Sequence, residues 1–424
     1  MPSHSTASLK SMAWEGMRWT AVASAARMVL QFGLVVTLAR LLTPSDFGVM
    51  SACLIVSTLV ETVTVTSVGP VLVQRASLSE ADIRTAFTLS IVLGGGAALA
   101  AYFGAPLLAA LVRIEDVQHA LRLVSVAFLL GGLSLVAEHL LQREMRLRHL
   151  ALIELGSYVL NAFVAVSLAV RGVGYWALIW GLMAQNVVKT AALLAMKPGS
   201  MKLGWSKGSV RTIRDLGVGF SLARFFNFLG GQADNFIVGR ALGAEALGFY
   251  SRAYQLMTFP AYLYGTIADR VMFPYMSRIR QETGSLAEAH LTAIRAAAAI
   301  GLPSTVILVV AAPAIVDVLL GKQWSDVVAP FSILALAVYS RVSQKISATV
   351  LRASGSTYKH AALQGLYAVA VIAGAWIGSH AGLSGVAIGV TAAVMLHGTV
   401  LGFASGLASG ATKRRMVEAH KQGI

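Results

Sequence analysis

The sequence predicts an all-α integral membrane protein with about twelve transmembrane helices, arranged as two lobes of about six helices each. Composition is the first of three observations that predict this fold. Hydrophobic residues make up 56% of the 424-residue chain and charged residues 12%, whereas a soluble domain carries roughly 25% charged residues. So low a charge content is typical of a protein whose outer surface meets lipid.

The second observation is a series of apolar segments, each about 20 residues long or slightly longer, which is enough to cross a hydrocarbon core of about 30 Å as a helix. The predicted boundaries are approximately 17–39, 47–69, 85–112, 119–141, 150–170, 174–196, 214–239, 247–269, 290–320, 328–351, 360–380 and 383–408. The first segment is expected to stay in the protein as a helix and not to be a cleavable signal peptide, because a polar N-terminal stretch precedes it and Arg27 interrupts it. Segment 290–320 is long enough to contain a break, at Pro303 or at Pro313.

The third observation is a repeat with a period of about 200 residues. Residues 40–48 and 240–248 each form a short polar turn between two apolar segments. Identical residues in the two copies are Arg40 and Arg240, Leu42 and Leu242, Gly48 and Gly248, and Ser51 and Ser251. Such a repeat is typical of a transporter with a site between two homologous bundles. The chain is therefore divided into an N-terminal lobe (1–196), a basic linker (197–213) and a C-terminal lobe with a basic tail (214–424).

The distribution of basic residues predicts the orientation in the membrane. If both termini are cytoplasmic, roughly 21 Lys and Arg residues lie in or beside cytoplasmic loops and about five lie outside. The five are Arg40, Arg113, Arg171, Arg240 and Lys322. Because basic residues are retained on the cytoplasmic side during insertion, both termini are expected to be cytoplasmic. The same asymmetry explains the net charge of +15 without a nucleic-acid partner.

Several function classes are excluded by what the sequence lacks. It has no Walker loop, no HExxH helix and no paired cysteines, and Cys53 is its single cysteine. An ATP-driven pump, a disulfide framework and a thiolate metal site are therefore not expected, and no cofactor is expected. The short outer loops leave no room for the acceptor-binding domain of a membrane-embedded glycan enzyme.

Arginines at membrane depth are the first candidate site residues, because buried charges in a membrane usually face a cavity or a partner. Arg27 lies near the middle of the first segment, and Arg224 lies at a similar depth in the seventh, its counterpart in the repeat. Two symmetric guanidinium groups would bind a phosphate-bearing ligand through paired hydrogen bonds. Alternatively, each arginine has a structural role and bonds to carbonyl groups of neighbouring helices or to an acid such as Glu61.

Arg341 and Lys345 lie one turn apart on the tenth segment, and the fourth segment has no counterpart for them. Both are candidate cavity cations. The alternative for Lys345 is that it extends to the cytoplasmic interface, which is also the expectation for Lys189.

Glu61 and Asp234 are the acids deepest in the predicted membrane region. Either would take up a proton or Na⁺ and couple an ion gradient to transport, or form a salt bridge with a nearby arginine, and the salt bridge is favoured. His397 is expected to be a packed polar residue.

One group of residues in the second half forms a recognisable block: Asp234, Gly239, Arg240, Gly243, Gly248, Tyr250, Ser251, Arg252, Ala253, Tyr254 and Pro260. The first half contributes residues 39–42, 46–48, Gln74 and Arg75. With these residues the sequence resembles the polysaccharide-transporter branch of the multidrug/oligosaccharidyl-lipid/polysaccharide flippase superfamily. The resemblance implies two lobes that alternate between V-shaped inward-open and outward-open forms. This chain is shorter than many members, and the extra C-terminal helix pair of the lipid II flippases is not expected in it.

The resemblance also implies a flippase for polyprenyl-diphosphate-linked oligosaccharide, used to build exopolysaccharide, capsule or lipopolysaccharide O-chain. The expected partners are that lipid-linked oligosaccharide, membrane lipids, and a glycan polymerase with its export machinery. The expected location is the cytoplasmic (inner) membrane of a bacterium. Two alternatives are a small-molecule or drug exporter on the same fold, which would favour cavity carboxylates, and a membrane enzyme of glycan assembly.

Overall fold

A computed structural model describes the backbone of residues 6–64, 68–75, 77–267, 272, 275–276, 278–279, 282 and 286–410. Within these ranges, the side chains at 6–18, 20–21, 61–64, 70, 74, 212–224, 226–227, 260–267 and 357–358 are not described. The α-helices are α1 (Thr6–Leu41), α2 (Pro44–Thr64), α3 (Val68–Gln74), α4 (Glu80–Val112), α5 (Asp116–Arg143), α6 (Leu147–Val170), α7 (Trp176–Met196), α8 (Lys207–Ile267), α9 (Ala287–Val310), α10 (Ala312–Leu319), α11 (Val328–Ala335), α12 (Val338–Ala353), α13 (Thr357–Ser379) and α14 (Gly382–Ser409). Short 3₁₀ helices occupy Pro198–Met201 and Lys322–Val327.

The helices confirm an all-α, multi-pass membrane fold. In the described part of the chain, eight helices are long and apolar enough to cross a membrane, or nine if the bent pair Lys322–Ala335 and Val338–Ala353 is one span. The helix bounds follow the predicted segments closely and are compatible with the predicted count of about twelve.

Two of the predicted apolar segments, 290–320 and 328–351, are interrupted, and the first break has a local cause. The chain leaves helical geometry at Ala311, and Pro313 then sits in the first turn of α10, where its missing N–H costs no hydrogen bond. Of the two predicted break sites, Pro313 is therefore confirmed, whereas Pro303 lies within continuous α9. The second break separates α11 from α12, and the pair is bent by 46°.

The two copies of the repeat turn by different means. In the first copy, the Thr43 hydroxyl and backbone N–H both donate to Asp46 Oδ2, at 2.7 and 2.9 Å, which caps the start of α2. In the second copy, Gly243 interrupts α8 with φ 88° and ψ −176°, a conformation that favours glycine. Thr43 and Gly243 are equivalent positions of the repeat. Both copies therefore turn at the same place, the first through side-chain hydrogen bonds and the second through a glycine conformation.

The chain forms two compact units, Met1–Phe228 and Leu229–Ile424. The boundary between them falls inside α8, and the predicted linker at 197–213 stays a prediction. Within the first unit, α4 and α5 cross at Gly94 and Gly132, where a Cβ on Gly94 would lie 2.7 Å from the carbonyl oxygen of Phe128. Within the second unit, α13 and α14 cross at Gly374 and Gly389 in the same way. Small residues thus bring the helix backbones into close contact.

Candidate functional site

Asp234 is the centre of a buried polar cluster in the second unit. Its side chain is almost fully buried, and Tyr250, across the Gly243 break, donates its hydroxyl to Asp234 Oδ2 at 3.0 Å. The Asn235 backbone N–H donates to Asp234 Oδ1 at 2.8 Å. These hydrogen bonds offset part of the cost of removing a carboxylate from water.

Arg341, on α12, is the cation of this cluster. Its guanidinium group lies over the Tyr254 ring, 5.0 Å from the centroid, and attracts the Asp234 carboxylate electrostatically. Its Nε and Nη2 atoms are buried and have no hydrogen-bond partner among the described residues. The Nε–H and Nη2–H₂ groups can therefore donate to an anionic ligand, beside the hydroxyl-bearing rings of Tyr254 and Tyr367 that also interact with Arg341.

A stacked pair of rings extends the cluster. Tyr367 of α13 and His397 of α14 stack with their ring centroids 4.5 Å apart. His397 is buried, as expected for a packed residue, yet neither ring nitrogen has a hydrogen-bond partner in the described part of the chain. Tyr367 also lies within the electrostatic reach of Arg341. The second unit therefore brings Asp234 and Arg341 together with three tyrosines, one of which stacks on His397.

The repeat shows that this cluster belongs to the second half alone. About 200 residues earlier, the positions of Asp234, Tyr250 and Tyr254 are occupied by Leu34, Met50 and Leu54. Sequence reasoning did not select Tyr250 and Tyr254 as site residues. The apolar residues at the equivalent positions of the first copy were the signal that would have found them.

Arg27 forms an ion pair in the first unit. Its Nη1 donates to Glu154 Oε2 of α6 at 3.3 Å, and its guanidinium lies 5.7 Å from the ring centroid of Tyr158, one turn further along the same helix. The side chains of Arg27 and Glu154 are 43% and 42% exposed. The partner named from the sequence was Glu61, whose side chain lies outside the described residues, as does that of Arg224.

The remaining predicted cations lie in different surroundings. Lys345 is exposed on α12. Lys189 Nζ pairs with Glu138 Oε2 of α5 at 3.0 Å, and its reach to the cytoplasmic interface stays a prediction. Among the described residues, no group of three or more His, Cys, Asp and Glu side chains is placed to hold a metal ion.

Comparison with known proteins decides the family. Residues 37–329 match the family model described as "Polysaccharide biosynthesis protein". The chain belongs to this polysaccharide biosynthesis protein family. The predicted resemblance to the polysaccharide-transporter branch of the flippase superfamily is thereby confirmed.

Named relatives of this family member come from several bacteria. It is 24% identical over 347 residues to the teichuronic acid biosynthesis protein TuaB of Bacillus subtilis, covering 80% of this chain and 71% of that protein. It is 23% identical to the lipopolysaccharide biosynthesis protein WzxC of Escherichia coli, covering 78% and 67%. It is 25% identical to the succinoglycan biosynthesis transport protein ExoT of Rhizobium meliloti, covering 75% and 65%.

Solved structures confirm that this family member has the fold of the superfamily. The lipid II flippase MurJ in an inward closed conformation superposes with a TM-score of 0.77 at 12% identity, covering 95% of this chain and 90% of that one. An inward-facing multidrug resistance MATE family transporter superposes with a TM-score of 0.69 at 15% identity, covering 93% and 96%. At these identities the likeness concerns the fold alone.

Proposed function

We propose that the protein is a flippase that moves a polyprenyl-diphosphate-linked oligosaccharide from the cytoplasmic to the outer leaflet by alternating access. The match of residues 37–329 to the polysaccharide biosynthesis family carries this proposal. Relatives named for teichuronic acid, lipopolysaccharide and succinoglycan biosynthesis support a role in exopolysaccharide, capsule or O-chain assembly. The protein moves its substrate without making or breaking a covalent bond.

The buried guanidinium of Arg341 supports a diphosphate-linked substrate. A charged side chain at membrane depth is costly unless a partner compensates it, and two of its nitrogen atoms have no hydrogen-bond partner among the described residues. Phosphate or acidic sugar groups accept from such donors through charge-assisted hydrogen bonds. We assign the first contact with the head group to Arg341, with Arg27, Arg224 and Lys345 as the other proposed cations.

Asp234 is the proposed coupling residue, with Glu61 as the second candidate. Protonation of Asp234 would weaken its attraction for Arg341 and so change the charge presented to the substrate. In the salt-bridge alternative, Asp234 only neutralises the positive charge of Arg341. Measuring export at fixed substrate supply with and without a proton gradient, in the native chain and in Asp234→Asn, separates these two roles.

The proposed setting is the bacterial cytoplasmic membrane, with both termini cytoplasmic and with a glycan polymerase and export machinery as partners. Single cysteines placed in a Cys53→Ala background test the orientation. A membrane-impermeant thiol reagent added outside the cell is expected to label Val173→Cys and to spare Leu203→Cys. The opposite pattern would contradict the proposed orientation.

A reconstituted transport assay tests the function itself. The purified chain is placed in vesicles with a fluorescent lipid-linked oligosaccharide, and an added glycosidase reports how much substrate reaches the outer leaflet. The native chain is expected to expose the inner pool, whereas empty vesicles are not. A properly inserted chain that leaves the inner pool protected, with several glycan types tried, would overturn the proposal.

A further inference from the structure

Two amide side chains form a hydrogen bond at membrane depth in the first unit. Asn161 of α6 donates from Nδ2 to Oε1 of Gln185 of α7 at 2.8 Å, and both residues are partly exposed. Each lies near the middle of a helix that is long and apolar enough to cross a membrane. Amide groups at this depth are costly unless a polar partner satisfies them. The pair therefore marks a polar place between two otherwise apolar helices.

The two amides point away from the lipid-facing sides of their helices. Val159, two residues before Asn161, is 48% exposed, and Val187, two residues after Gln185, is 50% exposed. Two residues along an α-helix correspond to a rotation of about 200°, so each amide lies on the face opposite an exposed valine. Exposed apolar side chains in a membrane span face lipid. The exposed parts of the two amides are therefore directed away from lipid, where a polar ligand can reach them.

Close packing of α6 on α7 fixes the position of the amides. Gly181 of α7 lies against Asn161, since a Cβ on Gly181 would be 2.5 Å from Asn161 Oδ1 and 2.9 Å from the Cβ of Ala165. Gln185, which accepts the hydrogen bond from Asn161, follows Gly181 by one turn of α7. Because two neighbours on one helix hold the Asn161 side chain, little further ordering is needed when it binds a ligand.

An ion pair lies on the same face of α6. Glu154, the partner of Arg27, comes seven residues before Asn161. Side chains seven residues apart share one face of a helix, about 10 Å apart along its axis. Arg27 is one of the cations proposed above for the diphosphate of the substrate. A sugar attached to a diphosphate at Arg27 would therefore lie within reach of the amide pair.

The chemistry of the amide pair suits the hydroxyl groups of a neutral sugar. The bond between the two residues uses one donor of Asn161 and one acceptor of Gln185, whereas each amide has two N–H donors and a carbonyl acceptor. The remaining groups match a hydroxyl group, which both donates and accepts. Lys189, one turn from Gln185, is paired with Glu138 Oε2 at 3.0 Å, so this ion pair adds no net charge beside the amides.

We propose that Asn161 and Gln185 form a subsite for a sugar residue of the transported oligosaccharide, separate from the cations that bind its diphosphate. Hydroxyl groups of the sugar bridge the two amides on the side that faces away from lipid. This inference rests on the proposed flippase function and adds residues that distinguish one glycan from another. The alternative is a structural hydrogen bond that only joins α6 to α7. A sugar subsite makes the affinity depend on the glycan, whereas a structural bond does not.

The contribution of the glycan to binding tests the subsite in the full-length chain. Native mass spectrometry in detergent measures the affinity for two probes, undecaprenyl diphosphate and the undecaprenyl-diphosphate-linked oligosaccharide extracted from the producing bacterium. The native chain is expected to bind the linked oligosaccharide more tightly. Asn161→Leu with Gln185→Met removes the amides at nearly constant volume. It should lower the affinity for the linked oligosaccharide by about 10- to 50-fold, the effect of losing two or more hydrogen bonds, and leave the affinity for undecaprenyl diphosphate unchanged.

Asn186→Leu is the matched control on the same helix. Its Nδ2 donates to the Leu182 carbonyl oxygen of α7 itself at 2.9 Å, so its replacement should leave both affinities unchanged. Retained binding of undecaprenyl diphosphate shows that the double variant is folded. If both affinities fall together, Asn161→Leu and Gln185→Met are measured singly. An equal loss for both probes in the single variants would establish a structural role and overturn the proposal.

Two further outcomes separate this proposal from the proposed function. Equal affinity of the native chain for the two probes would overturn the sugar subsite and leave the flippase function standing, as would an undiminished preference for the linked oligosaccharide in the double variant. A native chain that binds neither probe would contradict the proposed function and this inference together.

Discussion

The guanidinium carbon of Arg341 lies 5.0 Å from the centroid of the Tyr254 ring. This contact joins α12 to the part of α8 beyond Gly243, and Tyr250 in the same stretch binds Asp234 on the other side of the break. One buried cation and one buried carboxylate are therefore positioned by the same interrupted helix. The electrostatics of the second unit depend on the bend at Gly243.

Removing the Arg341 guanidinium should impair transport strongly. We expect Arg341→Gln to lower export by about 10- to 100-fold, the effect of losing one or two charge-assisted hydrogen bonds. Arg341→Lys should recover only part of it, because an ammonium group lacks the planar paired donors. Export is measured against the amount of inserted protein. Lys345→Gln, one turn away and exposed, is the control. An equal loss of export in that variant would contradict a specific role for Arg341.

The hydrogen bond from Tyr250 to Asp234 should contribute to stability. Tyr250→Phe removes the hydroxyl donor from a buried carboxylate, which should lower the free energy of unfolding by about 1–3 kcal/mol. Thermal unfolding in detergent measures this change. Tyr275→Phe, at an exposed tyrosine, is the control and should be neutral. A stable Tyr250→Phe protein would indicate that Asp234 is already neutral or satisfied by other donors.

The ion pair between Arg27 and Glu154 should be weak in energy. Because both side chains are more than 40% exposed, a double-mutant cycle with Gln at each position should give a coupling of only about 0.2–1 kcal/mol. If Arg27 binds substrate, Arg27→Gln should lower export while Glu154→Gln leaves it nearly unchanged. Equal losses of export in both single variants would support a structural role for the ion pair instead.

The crossing of α13 and α14 should not tolerate a side chain. A Cβ on Gly374 would lie 2.6 Å from the Gly389 carbonyl oxygen, so Gly374→Ala must push the two helices apart. We expect a loss of about 1–3 kcal/mol, the usual cost of overpacking. Gly365→Ala on the same helix meets nothing within 4 Å and should be neutral or slightly stabilising. Melting temperature and elution profile compare the two variants.

Most of the fold was predictable because its signals are local. The length of an apolar segment is set by the bilayer, and prolines and glycines end helices by their own backbone chemistry. The break beside Pro313 and the turns at Thr43 and Gly243 were therefore visible in the sequence. The bend between α11 and α12 was not, because no proline or glycine marks residues 336–337.

The polar contacts were less predictable because they depend on how each helix is rotated against its neighbours. Arg27, Arg341 and Asp234 stood out because charges are rare in apolar segments. Their partners Glu154, Tyr254 and Tyr250 were uncertain, because hydropathy does not tell which residues of two helices face each other. Thr85 and Thr88, whose hydroxyl groups bind the backbone of Ser206 and Gly204, gave no signal at all, since threonine is ordinary in such a segment.

The hydrogen bonds of Thr85 and Thr88 also bear on how the protein is made. They bind Gly204 and Ser206, which follow α7, and the Ser209 hydroxyl donates to Asp82 Oδ1 of α4 at 2.6 Å. All three partners on α4 are already synthesised when Ser209 leaves the ribosome. The first half of the chain can therefore reach its final packing while the second half is still being translated, as is usual for successive units of one chain. A nascent chain stalled once Ser209 has emerged from the ribosome should already resist proteolysis between α7 and α8.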